Sequence, residues 1–131
     1  DLGEYGKAKE LGEKVYALRK KVLGEEHPDT LKALHNLANT YSDLGEYGKA
    51  KELGEKVYAL RKKVLGEEHP DTLSVLNNLF AIYYFLGMYE KAVESVEKVY
   101  TICSRVLGEN HPTTRTVYQN LEAIKKRPGI Q

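Results

Sequence analysis

Residues 31–72, LKALHNLANTYSDLGEYGKAKELGEKVYALRKKVLGEEHPDT, decide the fold because the rest of the chain repeats them. Residues 1–30 are identical to residues 43–72, and residues 85–114 match that same segment at 17 of 30 positions. Equivalent positions are always 42 residues apart. Fixed internal similarity of this kind predicts a stacked array of units, each of which is too small to bury its own hydrophobic face.

Each unit has the pattern of two α-helices. Apolar residues recur every three or four positions, as on one face of an amphipathic helix, and no segment alternates with the period of a β-strand. The shorter helix is called helix A and the longer one helix B. Asp29 or Thr30 is expected to cap the start of the first helix A. The predicted A helices are residues 30–44, 73–87 and 115–126, and the predicted B helices are residues 4–23, 46–65 and 89–108.

These six helices form one all-α solenoid domain over residues 1–131. The last helix is predicted to be a cap, because Arg115, Glu122 and Lys125 stand where units two and three carry mostly apolar residues. A polar outer face of this kind ends a repeat stack. The predicted divisions are a truncated unit with helix B only (1–30), unit two (31–72), unit three (73–114) and the capping helix with its tail (115–131).

The first helix B has no helix A before it, although its sequence is that of the helix B in unit two. Part of its apolar stripe should therefore be bare, and a bare stripe of large residues favours association. We expect it to contact a second copy of the chain or the missing part of a longer natural chain. The self-association residues predicted here are Tyr5, Ala8, Leu11 and Val15.

Composition and charge exclude several classes of protein. The 20 basic and 19 acidic side chains are interspersed and give a net charge of +1, so no nucleic-acid partner is predicted. No apolar run has the length of a membrane span, and no membrane association is predicted. The chain opens with DLGEYGKAKE rather than a signal peptide, and its single Cys103 excludes an internal disulfide. A cytoplasmic location is expected.

The spacing of the repeated residues resembles the tetratricopeptide repeat (TPR) family. The period of 42 is longer than the usual repeat of about 34 residues, and the motifs LxNLAxxY and VLGxxHPDT resemble the repeats of kinesin light chains. The resemblance implies a right-handed superhelix of antiparallel helix pairs whose A helices line a concave groove. The matching residues in unit two are Leu34, Leu37, Ala38, Tyr41, Gly45, Tyr47, Ala50, Val57 and Pro70, and those in unit three are Leu76, Leu79, Tyr83, Gly87, Tyr89, Ala92, Val99 and Pro112.

Two features depart from that family pattern. Phe80 occupies a position where the family has a small residue, and Gly12 and Gly54 lie within helix B, where the family usually has an aromatic residue. Phe80 is therefore expected to fill the space beside Gly54. The perfect duplication of 30 residues also suggests a recent duplication or a designed scaffold.

Nothing in the repeated residues indicates an enzyme, because catalysis needs a cluster that occurs once and these carboxylates recur in every unit. His27, His69 and His111 could be metal ligands, but their unit spacing puts them too far apart for one ion. We interpret them as residues that pack against or cap the helix that follows. Cys103 replaces the Arg19 and Arg61 of the other units and is expected to be peripheral. No cofactor is predicted.

A row of polar residues on the A helices is the strongest functional signal. Asn36, Asn78 and Asn120 share one register position, although asparagine is a mediocre helix former. The resemblance places this row in the groove, where the amides could bind the backbone of an extended peptide. The alternative is that they tie adjacent helices together or meet water. The predicted groove residues are Lys32, His35, Asn36, Asn39, Ser42, Ser74, Asn77, Asn78, Tyr84, Gln119 and Asn120.

The function that these observations favour is a scaffold that binds a protein or peptide segment in the groove. Self-assembly through the uncapped first helix and a designed scaffold without a native ligand are the alternatives. Tyr83 is expected to be in the core, whereas Tyr84 or Phe85 could form the edge of a pocket for a ligand.

Overall fold

The computed structural model describes residues 2–127, which form six α-helices and no strand. Each helix packs against the next one in chain order, and α2 also touches α4. This architecture confirms the predicted all-α array of stacked helix pairs. The part of the predicted tail that follows Arg127 lies outside the described residues. The helices are α1 (Leu2–Leu23), α2 (Pro28–Asp43), α3 (Tyr47–Leu65), α4 (Pro70–Phe85), α5 (Tyr89–Leu107) and α6 (Pro112–Lys125).

The A-type helices begin earlier than the sequence pattern predicts, because histidine caps them. The side chain of His27 accepts a hydrogen bond from the backbone N–H of Asp29 at 3.0 Å, and His69 and His111 do the same in their own units. The proline that follows each histidine fits the first helical position, where no N–H is needed. The prediction of Asp29 or Thr30 as the cap is therefore wrong, and the capping interpretation of the histidines is confirmed. Thr30 lies inside the first turn and is fully buried.

The turn from helix A to helix B depends on a glycine in the left-handed conformation. Gly45 has φ 79° and Gly87 has φ 77°. In the first turn the N–H of Glu46 donates to the carbonyl of Tyr41 at 2.9 Å, which closes the end of α2. A side chain at either glycine would be strained, so the sharp reversal that makes the helix pair antiparallel requires glycine.

The hydrophobic core lies where α3 and α5 each contact two A helices. Val57 of α3 is fully buried between α2 and α4, and Leu34 and Leu79 of those A helices are almost fully buried. Tyr83 is 6% exposed, which confirms its predicted core position. Val15, the copy of Val57 in α1, is only half-buried, because no helix A precedes α1 among the described residues.

Polar contacts between units repeat with the same period as the core. Lys56 of α3 pairs with Glu25 at 2.8 Å, and Lys98 of α5 pairs with Glu67 at 2.7 Å. Each pair connects a helix B to the loop that ends the helix B before it. Exposed pairs of this kind contribute little to the free energy of unfolding, so they support the stacking register more than the stability.

A buried tyrosine connects α2, and another connects α4, to the preceding helix B. The Tyr41 hydroxyl donates to Glu13, and the Tyr83 hydroxyl donates to Glu55 at 2.5 Å. The hydrogen bond to Glu13 raises the pKa of Tyr41 to about 12. Burial, together with the bond to Glu55, raises the pKa of Tyr83 above its ordinary value. Both phenols therefore remain hydrogen-bond donors through the whole physiological range of pH.

The glycines of the B helices allow close packing by a leucine from the next helix A. A Cβ on Gly54 would lie 2.9 Å from Leu79 Cδ2, and a Cβ on Gly12 would lie 3.1 Å from Leu37 Cδ1. The prediction that Phe80 fills the space beside Gly54 is therefore wrong. Leu79, one residue earlier, points at α3 because it lies on the core side of α4, and Phe80 is only half-buried.

The two glycines allow a matched test of this packing. Alanine at Gly54 is expected to destabilise the fold by about 1–3 kcal/mol, because Leu79 is enclosed and must be displaced. Alanine at Gly12 should cost at least about 1 kcal/mol less, because α1 is open on one side, whereas the gain in helix propensity is the same at both positions. Urea unfolding followed by circular dichroism measures both values. Equal effects of the two substitutions would contradict this account.

Candidate binding surface

The residues predicted for the groove lie on α2, α4 and α6. They divide into two groups by exposure. The exposed group is Lys32, Asn36, Ser74, Asn77 and Gln119. The half-buried group is His35, Asn39, Ser42, Asn78, Tyr84 and Asn120. The first group is available to a partner, whereas several members of the second contact other parts of the chain. Whether the row binds a peptide stays a prediction.

Three residues of the half-buried group meet in one hydrogen-bond network that connects three helices. His35 Nδ1 of α2 lies 2.8 Å from the guanidinium of Arg61 in α3. His35 Nε2 lies 2.7 Å from the side-chain amide of Asn78 in α4. The amides of Asn78 and Asn39 are 3.1 Å apart. Arg61 also donates to the carbonyl of Asp71 at 3.2 Å, so the network joins α2, α3 and α4.

Counting protons determines how this network is oriented. Arg61 can only donate, so His35 Nδ1 accepts and the neutral ring carries its proton on Nε2. That proton needs an acceptor, so the Asn78 amide must turn its oxygen towards the ring. The Asn39 amide must turn as well, so that its N–H donates to the same oxygen of Asn78. The arrangement requires a neutral imidazole, because a protonated ring could not accept from Arg61.

The electrostatic surroundings of His35 agree with that proton count. Burial, and then the positive charge of Arg61, lower the pKa of His35 below its usual 6.5. Burial likewise lowers the pKa of Arg61 below its ordinary value. The network is therefore complete at neutral pH and is disrupted when His35 gains a proton.

This proton coupling predicts an acid-dependent loss of stability. A base with a lowered folded pKa takes up its proton more readily in the unfolded chain, so unfolding becomes easier as the pH falls below 6.5. The loss continues until the folded pKa is passed. The His35→Asn variant, which copies Asn77 of unit three, should lose less stability than the parent between about pH 7.5 and about pH 5.5. Urea unfolding at the two pH values tests this, and identical losses in both proteins would contradict it.

The aromatic residues near the end of α4 are partly covered by Arg127, which follows α6. Arg127 donates to the hydroxyls of Tyr84 at 2.8 Å and Tyr89 at 2.7 Å, and its guanidinium lies over both rings. Phe85 is 62% exposed and stacks on Tyr47 with ring centroids 5.0 Å apart. Of the two pocket-edge candidates, Tyr84 thus already holds an internal partner, while Phe85 presents an open face.

The surface of α1 is more apolar than the sequence pattern predicted. Of the predicted self-association residues, Tyr5, Ala8 and Leu11 are exposed and Val15 is half-buried. Two residues that were missed, Leu18 and Val22, are 63% and 70% exposed, and they extend the surface towards the end of the helix. Their heptad-like spacing from Leu11 could have identified them. The α1 surface is defined as Tyr5, Ala8, Leu11, Val15, Leu18 and Val22.

A cleft of about 370 Å³ between α4, α5 and α6 was also missed. Cys103 lies in its wall and is only 4% exposed, so the prediction that Cys103 is peripheral is wrong. The error came from treating arginine as a mark of the surface, whereas Arg61 at the equivalent position is itself buried. The replacement of arginine by cysteine is visible in the sequence, but it indicates a cleft only once Arg61 is known to be buried. We call it the Cys103 cleft; its wall includes Leu73, Asn77, Val99, Ile102, Cys103 and Val117.

The side chains of residues 2–127 offer no obvious metal site. These residues contain no group of three or more histidine, cysteine, aspartate or glutamate side chains that could hold a metal ion. None of the helices that they form is long and apolar enough to cross a membrane.

Similar structures share this architecture over nearly the whole chain. A Podosopora anserina protein with nearly identical TPR-like repeats, assigned as a kinesin light chain, superposes with a TM-score of 0.88 at 34% identity, covering 98% of this chain and 61% of that one. A variant of the same protein gives 0.85 at 35% identity, with 94% and 58% covered. BtubC (BKLC) from P. vanneervenii gives 0.86 at 24% identity, with 98% and 51% covered, a likeness of fold alone. This chain thus spans less than two thirds of each.

Sequence comparison points to the same family. No curated protein sequence matches the chain significantly. A tetratricopeptide repeat model, in contrast, matches residues 1–63, 52–102 and 71–129, which together cover nearly all of it. Repeats of this type generally mediate protein–protein interactions and are typically non-enzymatic scaffolds. Because both the stacked helices and this match extend over nearly its whole length, the chain belongs to the tetratricopeptide repeat family.

Proposed function

We propose that the chain is a protein-binding module that holds an extended peptide along the row of A helices. The observation that carries the proposal is the position of Asn36, Asn77 and Gln119, which are all exposed on successive A helices. A side-chain amide can pair with both the N–H and the C=O of a peptide backbone. Exposed amides on three successive A helices therefore suit an extended chain of any sequence.

The network behind this row supports the proposal. Because His35, Asn39 and Asn78 connect α2 to α4, Asn36 and Asn77 sit on helices that are held in one relative position. A surface held in place loses less conformational entropy when a partner binds. The named groove residues carry one fixed cation, Lys32, so the row does not select for an acidic chain end.

The test uses peptides recovered from a random linear library by binding to the whole chain. Replacing Asn36 or Asn77 with alanine should weaken their binding by about 10-fold, the effect of losing one or two hydrogen bonds. The matched control is Asn110→Ala, an exposed amide in the loop before α6. NMR shifts should change at Asn36, Asn77 and Gln119. Peptides that shift other residues, or that bind all three variants equally, would refute the proposal.

A second candidate function is self-association, and the two ends of the stack support it. Leu11 and Leu18 are each 63% exposed on α1 at one end, whereas Arg115 and Lys125 are exposed on α6 at the other. A head-to-tail contact would bury these charges against leucines, which is unfavourable. The proposed contact is therefore two-fold symmetric, with the α1 surfaces of two copies facing each other.

A pair of substitutions on α1 tests this contact, and both lower the net charge by one. Leu11→Glu should weaken the dimer at least about 10-fold, because it puts a carboxylate into an apolar contact. Lys14→Gln makes the same change of charge at a position 74% exposed, and it should leave the dimer intact. Sedimentation equilibrium gives the dissociation constants. A parent chain that is monomeric at high micromolar concentration would exclude this function.

A further inference from the structure

The Cys103 cleft exists because unit three departs from unit two at one buried position. In unit two the side chain of Arg61 is 7% exposed and reaches His35 and the carbonyl of Asp71. The equivalents of those two partners, Asn77 and Thr113, both line the cleft. Cysteine lacks every atom that arginine has beyond the γ position. The cleft is therefore the space that the arginine fills in the neighbouring unit.

The lining of this space indicates the polarity of its occupant. Four ionisable residues around the site in unit two are replaced by smaller residues in unit three: Lys32, His35, Arg61 and Asp71 become Ser74, Asn77, Cys103 and Thr113. Burial raises the pKa of the Cys103 thiol, which keeps it neutral. Glu68, at the rim, is already paired with Arg105 at 2.9 Å. A buried charge without a partner is costly, and a cation in this cleft would lack the His35 ring and the Asp71 carboxylate that lie near Arg61.

The apolar wall of the cleft indicates the size and shape of its occupant. Val99, Ile102 and Val117 are buried around the cleft, and Val106, at its rim, is 54% exposed. Sites that are concave and mostly apolar, with a few polar groups at one side, are typical of ligand-binding pockets. The volume of about 370 Å³ also lies near the lower end of the range for such pockets. A branched or unbranched aliphatic side chain fits this description.

We propose that the Cys103 cleft binds a neutral aliphatic side chain, of leucine or methionine type, from a partner peptide. Asn77 and Ser74 belong both to the exposed row and to the cleft. A peptide that pairs with the Asn77 amide therefore places its neighbouring side chain at the mouth of the cleft. The inference rests on the proposed peptide-binding function in one respect, because the bound peptide is what carries this side chain to the cleft. It gives the array a preference for sequence, which the amide row lacks.

The test uses a probe that needs no peptide. N-acetyl-leucine methylamide is titrated into the whole chain, and the methyl resonances of Val99, Ile102 and Val117 are followed by NMR. They should shift with half-saturation at roughly 10 mM, since burying one leucine side chain gives only weak binding. N-acetyl-arginine methylamide, the mimic of Arg61, should bind at least about 10-fold more weakly. Equal or tighter binding of the arginine probe would overturn the proposal.

Two variants close the cleft. Cys103→Arg with Asn77→His copies the arrangement that unit two already folds around, and Cys103→Met fills the space with an apolar chain. Both should abolish the leucine shifts while the helical circular dichroism is retained. Leucine shifts that persist in a folded variant would overturn the proposal, as would no shift in the parent up to about 50 mM.

The thiol of Cys103 provides a second readout in the parent chain. Because Cys103 is the only cysteine, alkylation with iodoacetamide reports on this cleft alone. The leucine probe should slow alkylation by about twofold at half-saturation, and an unchanged rate would count against the proposal. These measurements do not involve Asn36 or Gln119, so failure of the peptide-binding function would leave the probe result intact. If the cleft does not bind the leucine probe, peptide binding by the amide row is unaffected.

Discussion

The structure depends on burying α3 and α5, the second and third B helices, each between two A helices. Val57 and Ala50 of α3 are completely buried because α2 covers one side and α4 the other. The same residues in α1, Val15 and Ala8, remain half-buried and exposed. An isolated helix of this length is marginal in water, so neighbours supply most of its stability. Identical sequences therefore have different roles according to whether a helix A lies on both sides.

The functional surfaces arise where the units stop being identical. Units two and three share the core positions, the histidine caps and the turn glycines, and these features keep the stack regular. They differ at His35 and Asn77, and at Arg61 and Cys103. In unit two His35 and Arg61 close the space between the helices, and His35 ties α2 to α4. In unit three Asn77 and Cys103 leave a neutral cleft beside exposed amides. A repeat fold can thus carry two local chemistries without changing its backbone.

The sequence was sufficient to predict the helices and less able to predict side-chain direction. The 42-residue period and the apolar spacing yielded six helices in the right order, and Tyr83 was correctly assigned to the core. The predictions for Phe80 and Cys103 were wrong for the same reason, because the size and charge of a residue do not show which way its side chain points from the helix. Leu79 and not Phe80 meets Gly54, and a buried position accepts arginine when its guanidinium finds acceptors.

The sequence by itself determined that this chain is a stack of near-identical helix pairs, because periodicity and turn chemistry are local properties that each unit repeats. Only the tertiary structure decided which polar residues are engaged inside the protein and which remain available. His35 and Asn78 come from different units and meet only after stacking, while Asn36 and Asn77 stay exposed. The Cys103 cleft likewise has walls from three helices. Contacts between units depend on how the helices cross, and no single repeat contains that information.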